Sequence, residues 1–146
     1  MSLKMSEKNF ETKLSLLNGY KFNVKFDIDC IPNIIVDETQ PDGECLGPNP
    51  PRLLAVAVGH CISSSLIYCL KKARIPVKML ETTVNTSLFR NEDQRLRIRS
   101  IDIQIHLKIN QEDKKRINRC LTIFEEYCTV TQSVRKGIKV NIEVNS

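Results

Sequence analysis

Residues 47–61, GPNPPRLLAVAVGHC, decide how this chain is read. Asn49 can accept a backbone N–H as an N-cap, and Pro50 at the first helical position loses no hydrogen bond. Beyond it Leu53, Leu54, Ala57, Val58, Cys61, Ser65 and Leu66 recur at helical spacing. Val56, Ile62, Ile67 and Leu70 make the other faces apolar too. The pattern predicts a helix from Pro50 to about Lys72, apolar nearly all round and therefore buried. Lys71, Lys72 and Arg74 suit its negative C-terminal end, and Ile75-Pro76 stops it.

Upstream, residues 37–49 (DETQPDGECLGPN) turn to Pro, Gly, Asp and Glu. This reads as a loop and not a domain boundary, because too little chain precedes it to bury a core alone. A single domain over 1–146 follows, with residues 1–9 expected to be a flexible N-terminal segment. A second methionine at Met5 suggests that the first four residues are a remnant of expression. Residues 10–17 alternate weakly, and Asn18-Gly19 is the dipeptide suited to a type I′ hairpin turn. Tyr20, Phe22, Val24 and Phe26 then alternate with polar residues, which predicts a half-buried strand. Residues 31–36 are expected to return beside it, with Pro32 at an edge or bulge.

Downstream, residues 77–89 and 96–109 predict two strands joined by the charged turn RNEDQ. In the second, Ile101, Ile103, Ile105, Leu107 and Ile109 share one face, opposite Asp102, Gln104, His106 and Lys108. A second helix is expected over 111–127, with Ile117, Cys120, Leu121 and Phe124 inward and Cys128 ending that stripe. Ile138, Val140, Ile142 and Val144 alternate as a last strand. The order βββ-α-ββ-α-β argues for an α+β fold with antiparallel sheets.

Bulk composition narrows the function classes. The chain has 146 residues, 41% hydrophobic and 27% charged, which is ordinary globular usage and excludes a disordered chain. The longest apolar region, residues 53–70, is broken by Gly59, His60 and three serines, so no membrane span is expected. The N-terminus lacks an apolar core followed by small residues, so it does not read as a secretory signal. Net charge is +5, and the basic cluster of residues 90–99 is interrupted by Glu92 and Asp93 with only Phe89 beside it. A nucleic-acid surface needs a basic stripe with interleaved aromatics, so a solvated strand-and-loop face is the better reading. Six cysteines, at 30, 45, 61, 69, 120 and 128, contain no CxxC or CxxH pair, and the histidines lie far apart. No metal site and no cofactor is expected. Without a signal sequence, reduced thiols in a cytoplasm are the default.

Two segments carry a resemblance. GPNPPRLLAVAVGHC at 47–61 resembles the signature of the OsmC/Ohr family, in which G-x-N-P opens a buried helix and a cysteine follows about three turns later. CTVTQSVRKGIKVNIEV at 128–144 resembles that family's second signature, a cysteine followed by hydroxyl residues and a final strand. With the element order, the resemblance spans residues 10–144. It implies an intertwined homodimer of two antiparallel sheets around two central helices. It also implies a thiol-dependent peroxidase, an oxidative-stress oxidoreductase reducing organic hydroperoxides or hydrogen peroxide. By resemblance Cys61 is the peroxidatic thiol and Cys128 the resolving one, with a dihydrolipoyl-type dithiol or other thiol reopening their disulfide. Such a bond needs Cα atoms within about 7 Å, so the two helices must pack together.

The chain also departs from that pattern. Peroxidatic members place a glutamate just after N-P, salt-bridged to an arginine from the N-terminal strands. Here those positions hold Pro51 and Arg52, and no arginine precedes Arg52. Candidate supporting residues are Arg52 and His60, then Arg135 and Lys136 near Cys128. His60 reads more as a packed or hydrogen-bonded residue than as a catalytic base, since it projects about 100° from Cys61 on a helix. Cys69 and Cys120 read as small core hydrophobes, and Cys30 and Cys45 as loop residues without a redox role. The rival function is a non-peroxidatic OsmC-fold protein that binds a small apolar or sulfur-containing ligand at the dimer interface.

Overall fold

The computed structural model describes residues 8–146, so the expected flexible segment 1–9 lies almost wholly outside the described residues. The elements run β1 (Thr12–Asn18), β2 (Lys21–Phe26), β3 (Ile34–Val36), α1 (Pro50–Lys72), β4 (Val77–Arg90), β5 (Leu96–Ile109), α2 (Asn118–Ile123) and α3 (Thr129–Lys136). The expected α+β class forms, with two antiparallel sheets, β1-β2-β3 and β4-β5. By contact the chain divides into two compact units, the described residues up to Leu53 and Leu54–Ser146.

In the first unit β2 is central, with Leu14 and Ile34 both opposite Val24. Val24 is buried and Phe22 and Phe26 half-buried, as their alternation predicts. The first hairpin turns one residue later than Asn18-Gly19 suggests. Asn18 pairs with Lys21, which leaves Gly19-Tyr20 as the loop, with Gly19 taking a left-handed φ of 51°. The 37–49 loop is organised around the buried Asp37 carboxylate, which accepts backbone N–H bonds from Glu38, Glu44 and Leu46 at 2.8, 3.1 and 3.2 Å. Burial opposes the charge on Asp37. The three N–H donors, with help from Lys21, outweigh that and hold the carboxyl below its ordinary range.

In the second unit β4 and β5 form a long hairpin, Val77 opposite Ile109 and Arg90 opposite Leu96. Asn91 closes its turn by accepting the N–H groups of Asp93 and Arg95 on its side chain. Ile101, Ile103, Ile105 and Ile109 of β5 face inward and Asp102, Gln104, His106 and Lys108 outward, as read from the sequence. α1 lies close to β4 because Gly59 has no side chain: a Cβ there would sit 2.7 Å from a Val84 methyl. Ser63 fixes that approach, donating to the Gly59 carbonyl at 2.7 Å and meeting the Thr82 hydroxyl at 2.6 Å. The core is Leu66, Leu70, Ile75 and Cys120, against which Leu80, Ile105, Leu107 and Phe124 pack.

Four expectations need correction. First, α1 is not buried all round; Val56 and Tyr68 are 65% and 55% exposed. Second, α1 is long and apolar enough to cross a bilayer by length and composition, because its glycine and serines lower its hydropathy too little. The same composition makes a core helix, and Leu66 and Leu70 pack in one here. Third, the single helix over 111–127 is broken. A 3-10 turn at Gln111–Asp113 precedes α2, and another at Phe124–Tyr127 follows it. Arg116 bonds to the buried Asp113 at 2.7 Å and to the Ala73 carbonyl, which ties the start of this stretch to the end of α1. Fourth, residues 138–144 form no strand. A strand needs a neighbouring ladder, none among the described residues pairs with this segment, and Ile138, Val140, Ile142 and Val144 are 62–86% exposed.

Candidate functional site

α1 carries Cys61 and, one turn later, Ser65 toward the interior of the second unit. Cys128 reaches the same place from another direction. It does not end the second helix but caps α3, with φ −81° and ψ 98° and its sulfur accepting the Thr131 N–H at 3.4 Å. The Thr131 hydroxyl lies 2.9 Å from Cys128 Sγ. The Val130 N–H points at Cys61 Sγ, 3.5 Å away. Each thiol shifts the acidity of the other, and Ser65 acts on Cys128 as well. Cysteines 67 positions apart in sequence (128 minus 61) therefore meet, with Cys61 half-buried and Cys128 fully buried.

The surroundings push the two sulfurs apart in acidity. Burial raises the Cys61 thiol, and its contact with Cys128 raises it further, against the pull of the Val130 N–H. Burial also acts on Cys128, but the Thr131 hydroxyl and N–H, Cys61 and Ser65 all stabilise its thiolate and bring it below the ordinary thiol range. Its position at the first turn of α3 agrees, since the dipole acts within a turn of the N-terminus. Cys128 is thus the more acidic partner, and one negative charge can be shared between the two interacting thiols.

The other expected residues are less central. Arg52 donates to the Asn49 side chain at 3.0 Å. His60 is exposed, with no side-chain hydrogen bond among the described residues. Arg135 pairs with Glu125 at 3.0 Å, and Lys136 is exposed. Cys30 and Cys45 are free and exposed. Cys69 and Cys120 do lie in the core, but as a disulfide, Cα–Cα 5.6 Å, which the reading as two separate hydrophobes missed. Ser65, Thr131 and the helix after Cys128 were also missed. The available signal for α3 was Arg135-Lys136 followed by Gly137, basic residues in a last turn and then a helix stop. Among the described residues no group of three or more His, Cys, Asp or Glu could hold a metal.

A cavity of about 540 Å³ lies beside the pair. Val58, Ile62, Ile103 and Val134 give it apolar walls, Thr131 joins it to the Cys128 neighbourhood, and the Arg135–Glu125 pair stands in its lining. It is large enough for a small organic molecule, and its lining is mixed, since Arg99 and Ser100 add to the polar side chains of Thr131, Glu125 and Arg135.

An α+β chain whose long apolar helix carries one cysteine toward another at a helix N-cap has a thiol pair as its candidate site. Residues 41–143 match the OsmC-like protein family, and the chain belongs to it. It is 26% identical over 139 residues to a Staphylococcus aureus protein called organic hydroperoxide resistance protein-like, covering 94% of this chain and 96% of that one. Among solved structures it resembles an OsmC-like protein of unknown function from Vibrio cholerae, at TM-score 0.75 and 11% identity, covering 87% of this chain and 94% of the other. An OsmC-like protein from Mycoplasma pneumoniae superposes at TM-score 0.74 with 14% identity, covering 89% of both chains.

Proposed function

We propose that this chain, acting as one OsmC-like domain over 1–146 in a cytoplasmic homodimer, is a cysteine-based peroxidase for organic hydroperoxides or hydrogen peroxide. The observation that supports it is the coupling of Cys61 and Cys128, each shifting the other's acidity, with the Val130 N–H on one sulfur and the Thr131 N–H and hydroxyl on the other. The name of the S. aureus relative points the same way. Cys61 is the reachable sulfur and the nucleophile; Cys128 is the base that frees it. Cys61 passes its proton to the Cys128 thiolate and attacks the O–O bond. The leaving alkoxide takes that proton from Cys128, giving an alcohol and Cys61 sulfenic acid. The Cys128 thiolate then attacks the sulfenic sulfur, a solvent proton makes the departing hydroxide water, and a disulfide remains. Two thiol equivalents from a dihydrolipoyl-type dithiol or another thiol reopen it. A reducing compartment suits a bond that must be reopened at each turnover.

The exposed alternating segment 138–144 and the bare apolar face of α1 support dimerisation, since a second copy could supply the missing ladder. The test is peroxide consumption with a dithiol reductant, run beside light scattering. Turnover that disappears in Cys61→Ser, from a species of twice the chain mass, is expected. Consumption equal to the Cys61→Ser background would overturn the reading. One observation favours a second reading, a non-peroxidatic binder of a small apolar or sulfur-containing ligand: residues 51 and 52 are Pro and Arg where peroxidatic members carry an acid. Saturable binding of an apolar ligand without peroxide turnover would favour it.

A further inference from the structure

α1 carries a second sulfur, Cys69, eight residues and about 12 Å beyond Cys61. It is bonded to Cys120 of α2, across 51 residues of chain. The bond has two unlike sides. Cys120 is 2% exposed and packs with Leu66, Leu70 and Ile75. Both sulfur residues also line a cleft of about 390 Å³, onto which half-buried Cys69 opens. The charged side chains of that cleft are Lys72, Arg116 and Arg119, with no acid among its lining residues. Arg116 is held by Asp113 and the Ala73 carbonyl. Lys72 stands over the Tyr68 ring, and among the described residues no carboxylate pairs with Arg119.

We propose that Cys69–Cys120 is a second redox site, separate from Cys61–Cys128, and that this cleft admits a small carboxylate-bearing thiol to open it. The thiolate attacks Cys69 Sγ, the sulfur facing the cleft, and forms a mixed disulfide while Cys120 departs and takes up the proton shed by the attacking thiol. A second equivalent then attacks the small-molecule sulfur, releasing the oxidised disulfide and leaving Cys69 and Cys120 as thiols. Lys72 and Arg119 raise the local concentration of an anionic attacker and disfavour a cationic one. Because the other face is packed, attack from the cleft is the route open among the described residues of the folded chain. Opening the bond unlinks α1 from α2 without touching the Cys61 hydrogen bonds.

The test is a rate comparison on the oxidised protein, with each cysteine pair followed separately by alkylation and peptide mapping. Mercaptosuccinate, 2-mercaptoethanol and cysteamine serve as anionic, neutral and cationic attackers, their rates divided by thiolate concentration. At low ionic strength the anionic thiol is expected to open Cys69–Cys120 at least about tenfold faster than the cationic one. The spread should collapse near 0.5 M salt, where screening shortens to a few ångströms. In Lys72→Glu/Arg119→Glu, with an unchanged circular dichroism spectrum, the order should reverse. Rates that ignore thiol charge and salt would overturn the proposal. So would free, alkylatable Cys69 and Cys120 in the air-oxidised protein, or opening only as fast as global unfolding. None of these outcomes bears on peroxide turnover at Cys61.

Discussion

Two cysteines two turns apart on α1 each meet a cysteine from the C-terminal part of the chain, yet their surroundings differ. Around Cys61 and Cys128 the neighbours are polar: two backbone N–H groups and the hydroxyls of Thr131 and Ser65. Around Cys69 and Cys120 they are aliphatic side chains on one side and cations on the other. The first setting stabilises a thiolate in place; the second buries one sulfur where no charge is stabilised and guards the other with positive charge. Reactivity along one helix is therefore set by what the rest of the fold brings to each turn, not by the helix.

The largest expected effect tests whether only the first pair does peroxide chemistry. Cys61→Ser abolishes peroxide consumption; Cys128→Ser, without added thiol, consumes about one equivalent per chain slowly and then stops, because the base that frees Cys61 is gone and the sulfenic acid has no partner thiol. Equal loss in a Cys69→Ser variant would erase the contrast between the pairs. Next in size is Leu70→Ala, which removes a fully buried side chain beside the second pair. It should cost about 2–5 kcal/mol in denaturant unfolding, while peroxide turnover persists wherever the protein stays folded. Cys69→Ala should cost about 2–4 kcal/mol under oxidising conditions, since the bond closes a 51-residue loop, and much less with reductant present.

The smallest expected effect sharpens the electrostatic half of the comparison. Thr131→Val removes a hydroxyl bond to a charged sulfur, worth about 1.5–3 kcal/mol, and moves the thiolate absorbance titration of Cys128 upward. Peroxide reduction near neutral pH should slow about tenfold. The sign follows from a depressed acid. Its contribution to stability is complete above the ordinary thiol range and is lost as pH falls through the lower folded value, and thiolate-dependent activity fades with it. In Thr131→Val that acid-side loss begins at a higher pH. An unchanged titration would mean that Thr131 does not stabilise the thiolate.

The sheets were legible because their signal is local: β2 and β5 alternate cleanly, and the RNEDQ turn falls between β4 and β5. α1 was legible to its ends because Pro50 and Ile75-Pro76 punctuate it. Both cysteines of the candidate site were legible only through motif resemblance; spacing alone does not bring residues 61 and 128 together. What the sequence hid depends on tertiary contact. Ser65 and Thr131 are ordinary residues until Cys128 lies between them. The 111–127 stretch had helical periodicity, but Asp113 and Arg116 tie it to Ala73 and break it. Residues 138–144 kept a strand pattern without a strand, because pairing is a property of two segments and the alternation describes one.

The most direct measurement is disulfide mapping by mass spectrometry within seconds of adding one equivalent of an organic hydroperoxide to the fully reduced protein. The Cys61–Cys128 reading predicts that this bond appears first and in step with peroxide loss, while Cys69 and Cys120 stay alkylatable on that timescale. Peroxide loss no faster than in Cys61→Ser, or a Cys69–Cys120 bond forming ahead of Cys61–Cys128, would contradict it.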